Sequence, residues 1–314
     1  MKKLQFFAPL FIIIAATLWA IDGIVLRPAL YTLPVPLVVL VEHGLAFLLM
    51  LPFFIKESGE VKKLKTADWG AFFWVAVFGG ALGTMFITKA LFYVQFVNLS
   101  VVVLIQKLQP VFALVLASLI LKEKLPKKFW PWAILAMIAT YFVAFADLVP
   151  NFATGDKTVL AAIFALGAAF AFGSSTVFSK RALKQVSFRM GTYLRFGLTT
   201  LIMFLIAASM GNLSDFNQIT QKQFLTFVII VFSSGGLAML LYYYGLKRVT
   251  ASVSTICELA FPLSAIVLEF ILRGRMLNWT QWLGAIILFV AIYQVSVQSS
   301  RISERKDQES RIMN

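Results

Sequence analysis

The chain has 314 residues, of which 60% are apolar and only 13% charged, about half the charged share of an average soluble protein. A bilayer-crossing helix takes about 20 apolar residues, so this supply fills about nine or ten crossings and excludes a water-soluble enzyme. The net charge of +14 calls for no nucleic-acid partner, because Lys and Arg collect in the cytoplasmic loops of membrane proteins.

The opening Met1-Lys2-Lys3 and the apolar stretch from Phe6 to Ala20 have the layout of a signal peptide. No small-residue cleavage pattern follows and the stretch runs on through Asp22 to Val25, so an uncleaved first crossing is expected. Ten apolar windows then succeed one another: 9–30, 34–55, 68–94, 99–121, 129–148, 158–180, 188–210, 222–246, 250–272 and 278–298. Their connectors are too short for a loop domain. On alternate connectors one side carries 20 Lys and Arg; the other carries five, Arg27, Lys157, Lys222, Arg273 and Arg275. That bias places both termini in the cytoplasm.

A shift of 152 residues pairs thirteen identical residues within positions 97–141, among them Ser100 with Ser252, Pro110 with Pro262 and Trp130 with Trp282. Shared apolar composition does not produce so many. The chain reads as a tandem duplication, residues 1–150 and 151–298, followed by a polar cytoplasmic tail, 299–314. Each copy holds five windows, an odd number, so the second enters the membrane upside down. Val94-Gln95-Phe96 is uncharged where its counterpart connector carries Lys247-Arg248. The expected fold class is an all-α polytopic membrane protein, ten transmembrane helices in two inverted five-helix repeats, as in secondary transporters with a site at the repeat interface.

Asp22, Glu42, Lys89, Lys107, Arg195 and Glu258 lie inside these windows. Facing lipid, each would cost about 2.5–3.5 kcal/mol; together that rivals the ~5–15 kcal/mol that holds a whole domain folded. They are therefore expected to face one another or a cavity. By depth, Asp22, Glu42, His43, Lys89, Gln106, Lys107 and Tyr141 fall near one level, about 8–12 Å from the outer ends. Arg195 and Glu258 lie at a similar distance from the cytoplasmic ends, and the repeat shift maps Glu42 onto Arg195 and Gln106 onto Glu258. Glu42–Lys89 and Arg195–Glu258 are the ion pairs this arrangement suggests if the charges serve packing alone.

Pro110 and Pro262 stand mid-window, where each is expected to kink its helix and free the carbonyl of Gln106 or Glu258. Gly79, Gly80, Gly83, Gly167, Gly173, Gly235 and Gly236 suit close helix approach. Trp69, Trp74, Trp130, Trp132, Trp279 and Trp282 lie near window ends, where an interfacial belt accounts for them, and Tyr242-Tyr243-Tyr244 reads the same way. Trp19 is mid-window, on nearly the same face as Asp22. His43 is the one histidine, and no zinc, phosphate-loop or paired-cysteine motif accompanies it, so no metal and no cofactor is expected. The lone Cys257 has no partner for an intrachain disulfide.

The segment Pro110-Val111-Phe112-Ala113-Leu114 through Leu121-Lys122-Glu123-Lys124-Leu125 to Trp130, repeated as Pro262-Leu263-Ser264-Ala265 to Trp282-Leu283-Gly284-Ala285, resembles the EamA family of the drug/metabolite transporter superfamily. Arg275 departs from the family's usual Glu, which Glu123 keeps, and Pro131-Trp132 replaces the Leu-Gly of the second copy. The resemblance implies a bacterial inner-membrane carrier, most often a proton-linked exporter or exchanger of amino acids and similar metabolites, acting as a monomer or homodimer. Trp19, Asp22, His43, Lys89, Gln106, Lys107, Tyr141 and Ser175 are the expected substrate contacts. Glu42, Glu258 and Arg195 are the expected proton-coupling groups. The competing reading is a non-transporting membrane subunit or an intramembrane enzyme acting on lipid.

Overall fold

The computed structural model describes residues 7–93, 102, 105–144, 157–274 and 276–312; Arg275 and the 94–96 connector lie outside them. All secondary structure among the described residues is helical. The helices are α1 (Ala8–Leu30), α2 (Val35–Leu49), α3 (Phe54–Lys63), α4 (Thr66–Ala90), α5 (Gln109–Ile120), α6 (Phe129–Ala144), α7 (Val159–Ala182), α8 (Phe188–Ser209), α9 (Gln221–Arg248), α10 (Ala251–Leu272) and α11 (Trp279–Arg301). Seven of these are long and apolar enough to cross a bilayer, or eight if α2 and α3, which meet at 63°, make one bent crossing. The windows expected at 99–121 and 129–148 are described as the shorter α5 and α6, so ten full-length crossings are not what the described residues display.

Local chemistry starts the helices of the second repeat. Ser187, Thr220 and Thr250 precede α8, α9 and α10, and their hydroxyls accept from the amides of Met190, Gln223 and Val253, satisfying donors that a helix start leaves open. Three crossings change pitch midway: α1 is π-helical over Asp22–Leu26, α4 over Val75–Leu82 and α9 over Val231–Gly235. Such bulges gather at functional sites, and those of α4 and α9 occupy corresponding places in the two repeats.

The most extensive packing joins one repeat to the other: α6 with α11, α1 with α9, α4 with α7, α2 with α8, α5 with α7, α1 with α10 and α5 with α10. Exchanging the repeats maps this set onto itself, α1–α9 becoming α4–α7 and α1–α10 becoming α5–α7. Small residues permit it. At Gly173 of α7 a Cβ would stand 2.7 Å from the Gln109 carbonyl oxygen of α5. The buried surfaces hold Ile12, Phe129, Met190 and Tyr243. Ile163, Leu205, Phe232, Ile286 and Phe289 point outward, as lipid-facing positions require. Cys257 is buried, its Sγ 3.6 Å from Ser296 Oγ.

At the end of the bundle holding α3 and the 121–128 connector, acidic side chains of the first repeat seize helix starts of the second. Glu123 accepts from the amides of Ala251 (2.7 Å) and Ser252 (3.1 Å) and from Ser252 Oγ (2.7 Å). Glu60 accepts from the Ser187 amide at 2.6 Å, and Glu57 accepts from the Ser187 hydroxyl and pairs with Arg189 at 3.2 Å. Lys180 Nζ donates to the carbonyls of Leu246 and Lys247 at 2.8 and 2.9 Å.

Candidate functional site

The two helices carrying the mid-window prolines do not simply bend. A tight turn at Lys107–Leu108 precedes α5, and another at Glu258–Leu259 interrupts α10. Each proline falls within the first turn of the helix segment that follows, where a missing N–H is harmless. The Glu258 carbonyl is not left free, contrary to expectation: it accepts from the Phe261 amide at 3.0 Å, and the Ile256 carbonyl accepts from the Leu259 amide at 3.1 Å. The outcome is an abrupt change of direction that turns Gln106, Lys107, Gln109 and Glu258 into the interior.

There, helices of both repeats enclose a cavity of about 520 Å³, within the about 300–1,000 Å³ range of drug-sized ligand sites. Of the residues singled out from sequence, Trp19, Asp22, Glu42, His43, Gln106, Lys107, Pro110, Ser175, Arg195, Glu258 and Pro262 all line it. Lys89 and Tyr141 do not: Lys89 Nζ lies 5.6 Å over the Phe164 ring, and Tyr141 stands edge-on to Phe142 on α6.

One end of the cavity is ionic. Arg27 Nη2 stands 2.6 Å from Asp22 Oδ2 and 3.3 Å from Glu42 Oε1 and Oε2, and its Nε donates to Asp22 Oδ2 at 3.1 Å. Glu42 thus pairs with Arg27 rather than Lys89. Arg27, a connector residue by sequence, instead follows directly on the π-helical Asp22–Leu26 in continuous helical backbone, and its guanidinium lies over the carboxylates. Its side chain is 31% exposed against 8% for Asp22, which makes it the rim of the cavity.

The deeper end is built on Glu258. Its Oε1 accepts from Tyr242 OH (2.8 Å), Ser254 Oγ (3.2 Å) and Thr176 Oγ1 (3.3 Å), and its Oε2 from Gln109 Nε2 (3.1 Å). Four donors from α5, α7, α9 and α10 thus converge on one carboxylate. Arg195 is not its ion-pair partner; Nη1 and Nη2 donate instead to Tyr243 OH and the Gly79 carbonyl, each at 3.3 Å. Tyr242 and Tyr243 are buried, not members of an interfacial belt; Trp74 is half-buried and its Nε1 donates to Ser174 Oγ of α7 at 3.0 Å. Trp19 meets Tyr242 with ring centroids 5.2 Å apart, Lys107 Nζ sits 5.5 Å over Phe261, and His43 Nδ1 lies 3.0 Å from the Val39 carbonyl oxygen. Among the described residues no cluster of His, Cys, Asp and Glu could hold a metal ion.

The chain matches the EamA-like transporter family twice, over residues 6–145 and 159–297. It belongs to that family. The two matches reproduce the duplication, and membership places the chain in the drug/metabolite transporter superfamily. It is 46% identical over 288 residues to the riboflavin transporter ImpX of Fusobacterium nucleatum, covering 91% of this chain and 96% of that protein. An uncharacterized transporter of Synechocystis is 28% identical over 248 residues, 74% of this chain and 66% of its own length. A solved crystal structure superposes with a TM-score of 0.72 at 15% identity, covering 94% of this chain and 97% of the other, a likeness of fold. This EamA-like protein is a multi-pass membrane transporter of small metabolites, not an enzyme.

Proposed function

We propose that this EamA-like transporter carries a flavin, riboflavin or a close analogue, across the bacterial inner membrane by alternating access. The observation that carries this reading is a cavity in which side chains of both repeats meet. Its volume of about 520 Å³ exceeds what a free amino acid fills, which moves the substrate away from the amino-acid class that the family resemblance implied. Trp19, Tyr242, Phe172 and Phe261 offer ring faces, and Gln106, Gln109 and Ser175 offer hydrogen bonds, the mixture a planar heteroaromatic compound needs. The relative named a riboflavin transporter supports the same choice. In this scheme ten crossings form two inverted five-helix repeats, bounded at 1–150 and 151–298, with cytoplasmic termini, and they rock about the cavity.

Glu258 is the proton carrier of the scheme, with Glu42 and Arg195 as secondary groups. Protonation would remove the charge that holds the Tyr242, Thr176, Ser254 and Gln109 donors together, so one proton loosens contacts among four helices. Riboflavin counterflow into proteoliposomes tests the function. Accumulation above protein-free vesicles is expected; Glu258→Gln should keep counterflow but lose acceleration by an imposed pH gradient. No accumulation by the wild type, in protein that elutes as a single species, would sink the flavin assignment.

A further inference from the structure

Several buried polar atoms of the cavity wall have no hydrogen-bond partner: Asp22 Oδ1, Glu42 Oε1, Ser234 Oγ, Thr255 Oγ1 and Arg195 Nε. Their residues are between 1% and 9% exposed, and native proteins rarely leave buried groups so. The pattern is informative about what would complete them. Glu258 is not among them, since both its oxygens already accept. The demand for donors lies at the rim, where Asp22 and Glu42 share one guanidinium and each keeps one oxygen without a hydrogen bond. Glu42 Oε1 is 3.3 Å from Arg27 Nη2 but lacks hydrogen-bond geometry.

An ionised carboxylate only accepts, whereas Arg195 Nε only donates and the two hydroxyls do either. An ammonium group would answer the carboxylates and leave Arg195 unmet. A chain of hydroxyls suits both kinds of group, because each O–H donates and accepts. The ring-binding surface lies next to this demand: Trp19 precedes Asp22 by three residues on α1, about 4.5 Å along the axis and on nearly the same face, and packs on Tyr242 beside Glu258.

Resting on the flavin reading above, we propose that the substrate lies along α1, its ring system on Trp19 and Tyr242 and its hydroxylated side chain at Asp22, Arg27 and Glu42. The rim carboxylates thereby select ring compounds that carry a polyol over those that do not. The consequence is a specificity step separate from ring binding: the ring supplies affinity that any flavin shares, and the rim supplies the preference.

Flavin fluorescence quenching by the purified full-length protein in lipid nanodiscs tests this with riboflavin and with lumiflavin, the same ring bearing methyl in place of ribityl. Wild type is expected to bind riboflavin about 10-fold or more tightly than lumiflavin, the scale of a hydrogen bond to a charged group. Asp22→Asn and Glu42→Gln should each weaken riboflavin about 10-fold with a far smaller change for lumiflavin, and Trp19→Leu should weaken both alike. Equal affinities in the wild type, or equal losses of both ligands at Asp22 and Glu42, overturn the proposal while leaving the flavin assignment standing. Binding of neither flavin overturns both. Should the rim variants fail to fold, the wild-type preference alone decides.

Discussion

Gly79 lies on the π-helical stretch of α4 against α7. A Cβ built there would stand 2.0 Å from Ser175 Oγ and 2.8 Å from Ser175 Cβ, with Arg195 Nη2 at 3.4 Å. Arg195 already donates to the Gly79 carbonyl, so α4 cannot back away without losing a buried bond to a charged group. Gly79→Ala is therefore expected to destabilise the protein by about 1–3 kcal/mol, the usual cost of overpacking. Thermal unfolding in detergent should show a lowered Tm, and Ser175→Gly in the same chain should restore most of it by removing both close atoms. A Tm unchanged by Gly79→Ala would mean the crossing is looser than its geometry. Much of the site was legible at this scale. Asp22, Glu42, Gln106, Arg195 and Glu258 stood out because ionisable and amide groups are costly in lipid. Thr176, Ser234 and Thr255 did not, since hydroxyls are common in membrane helices and bond their own backbone cheaply. Lys89 and Tyr141 lie off the cavity: counting gives a residue's position along a helix, whereas its facing follows from rotation at about 100° per residue and from which neighbours pack.

Among the elements, the connector after α5 shows how a strained backbone positions an acid. Lys122 is the one non-glycine residue with positive φ among the described residues, at 54°, a left-handed conformation that costs an L-residue about 1–2 kcal/mol. The Glu123 amide closes back on the Ala117 carbonyl at 3.3 Å, and the turn aims the Glu123 carboxylate at the first turn of α10. The repeat shift maps Glu123 onto Arg275, Glu57 onto Ser209 and Glu60 onto Asn212, so the opposite end of the bundle has no carboxylates at the matching positions. Glu123→Ala is expected to cost about 1.5–3 kcal/mol, the worth of hydrogen bonds to a charged group, and to lower Tm; Lys122→Gly alone should raise Tm slightly by relieving the left-handed turn. Glu123 itself was visible in the sequence only as a loop residue of a family motif. Its role depends on the start of α10, more than a hundred residues away, which no local pattern reports. The duplication and the all-helical class were legible, because apolar windows and internal identities survive without coordinates. The pitch changes in α4 and α9 were not, since no proline marks them.

The molecule as a whole is asymmetric between its two ends although its packing is nearly symmetric under repeat exchange. At the Arg27 end the cavity wall reaches a half-exposed guanidinium. Toward the other end, Ser179 Oγ and Tyr243 OH meet at 2.8 Å, and beyond them lie the Lys180, Glu57, Glu60 and Glu123 contacts. In the alternating-access cycle proposed above, this arrangement corresponds to the state open toward Arg27. A thiol introduced by Ser234→Cys on the cavity wall should accordingly react with a membrane-impermeant maleimide added on the Arg27 side, and riboflavin should slow that reaction. Ser254→Cys, behind Glu258, should stay unreactive from either side until Glu123→Ala loosens the far end. Equal labelling of both positions in the otherwise unaltered chain would contradict the asymmetry. Such measurements gain from the solitary native sulfhydryl. Cys257 is sealed between α10 and α11 beside Ser296, so an engineered reporter meets no competing background, and gating can be followed in the natural polypeptide without first stripping anything from it.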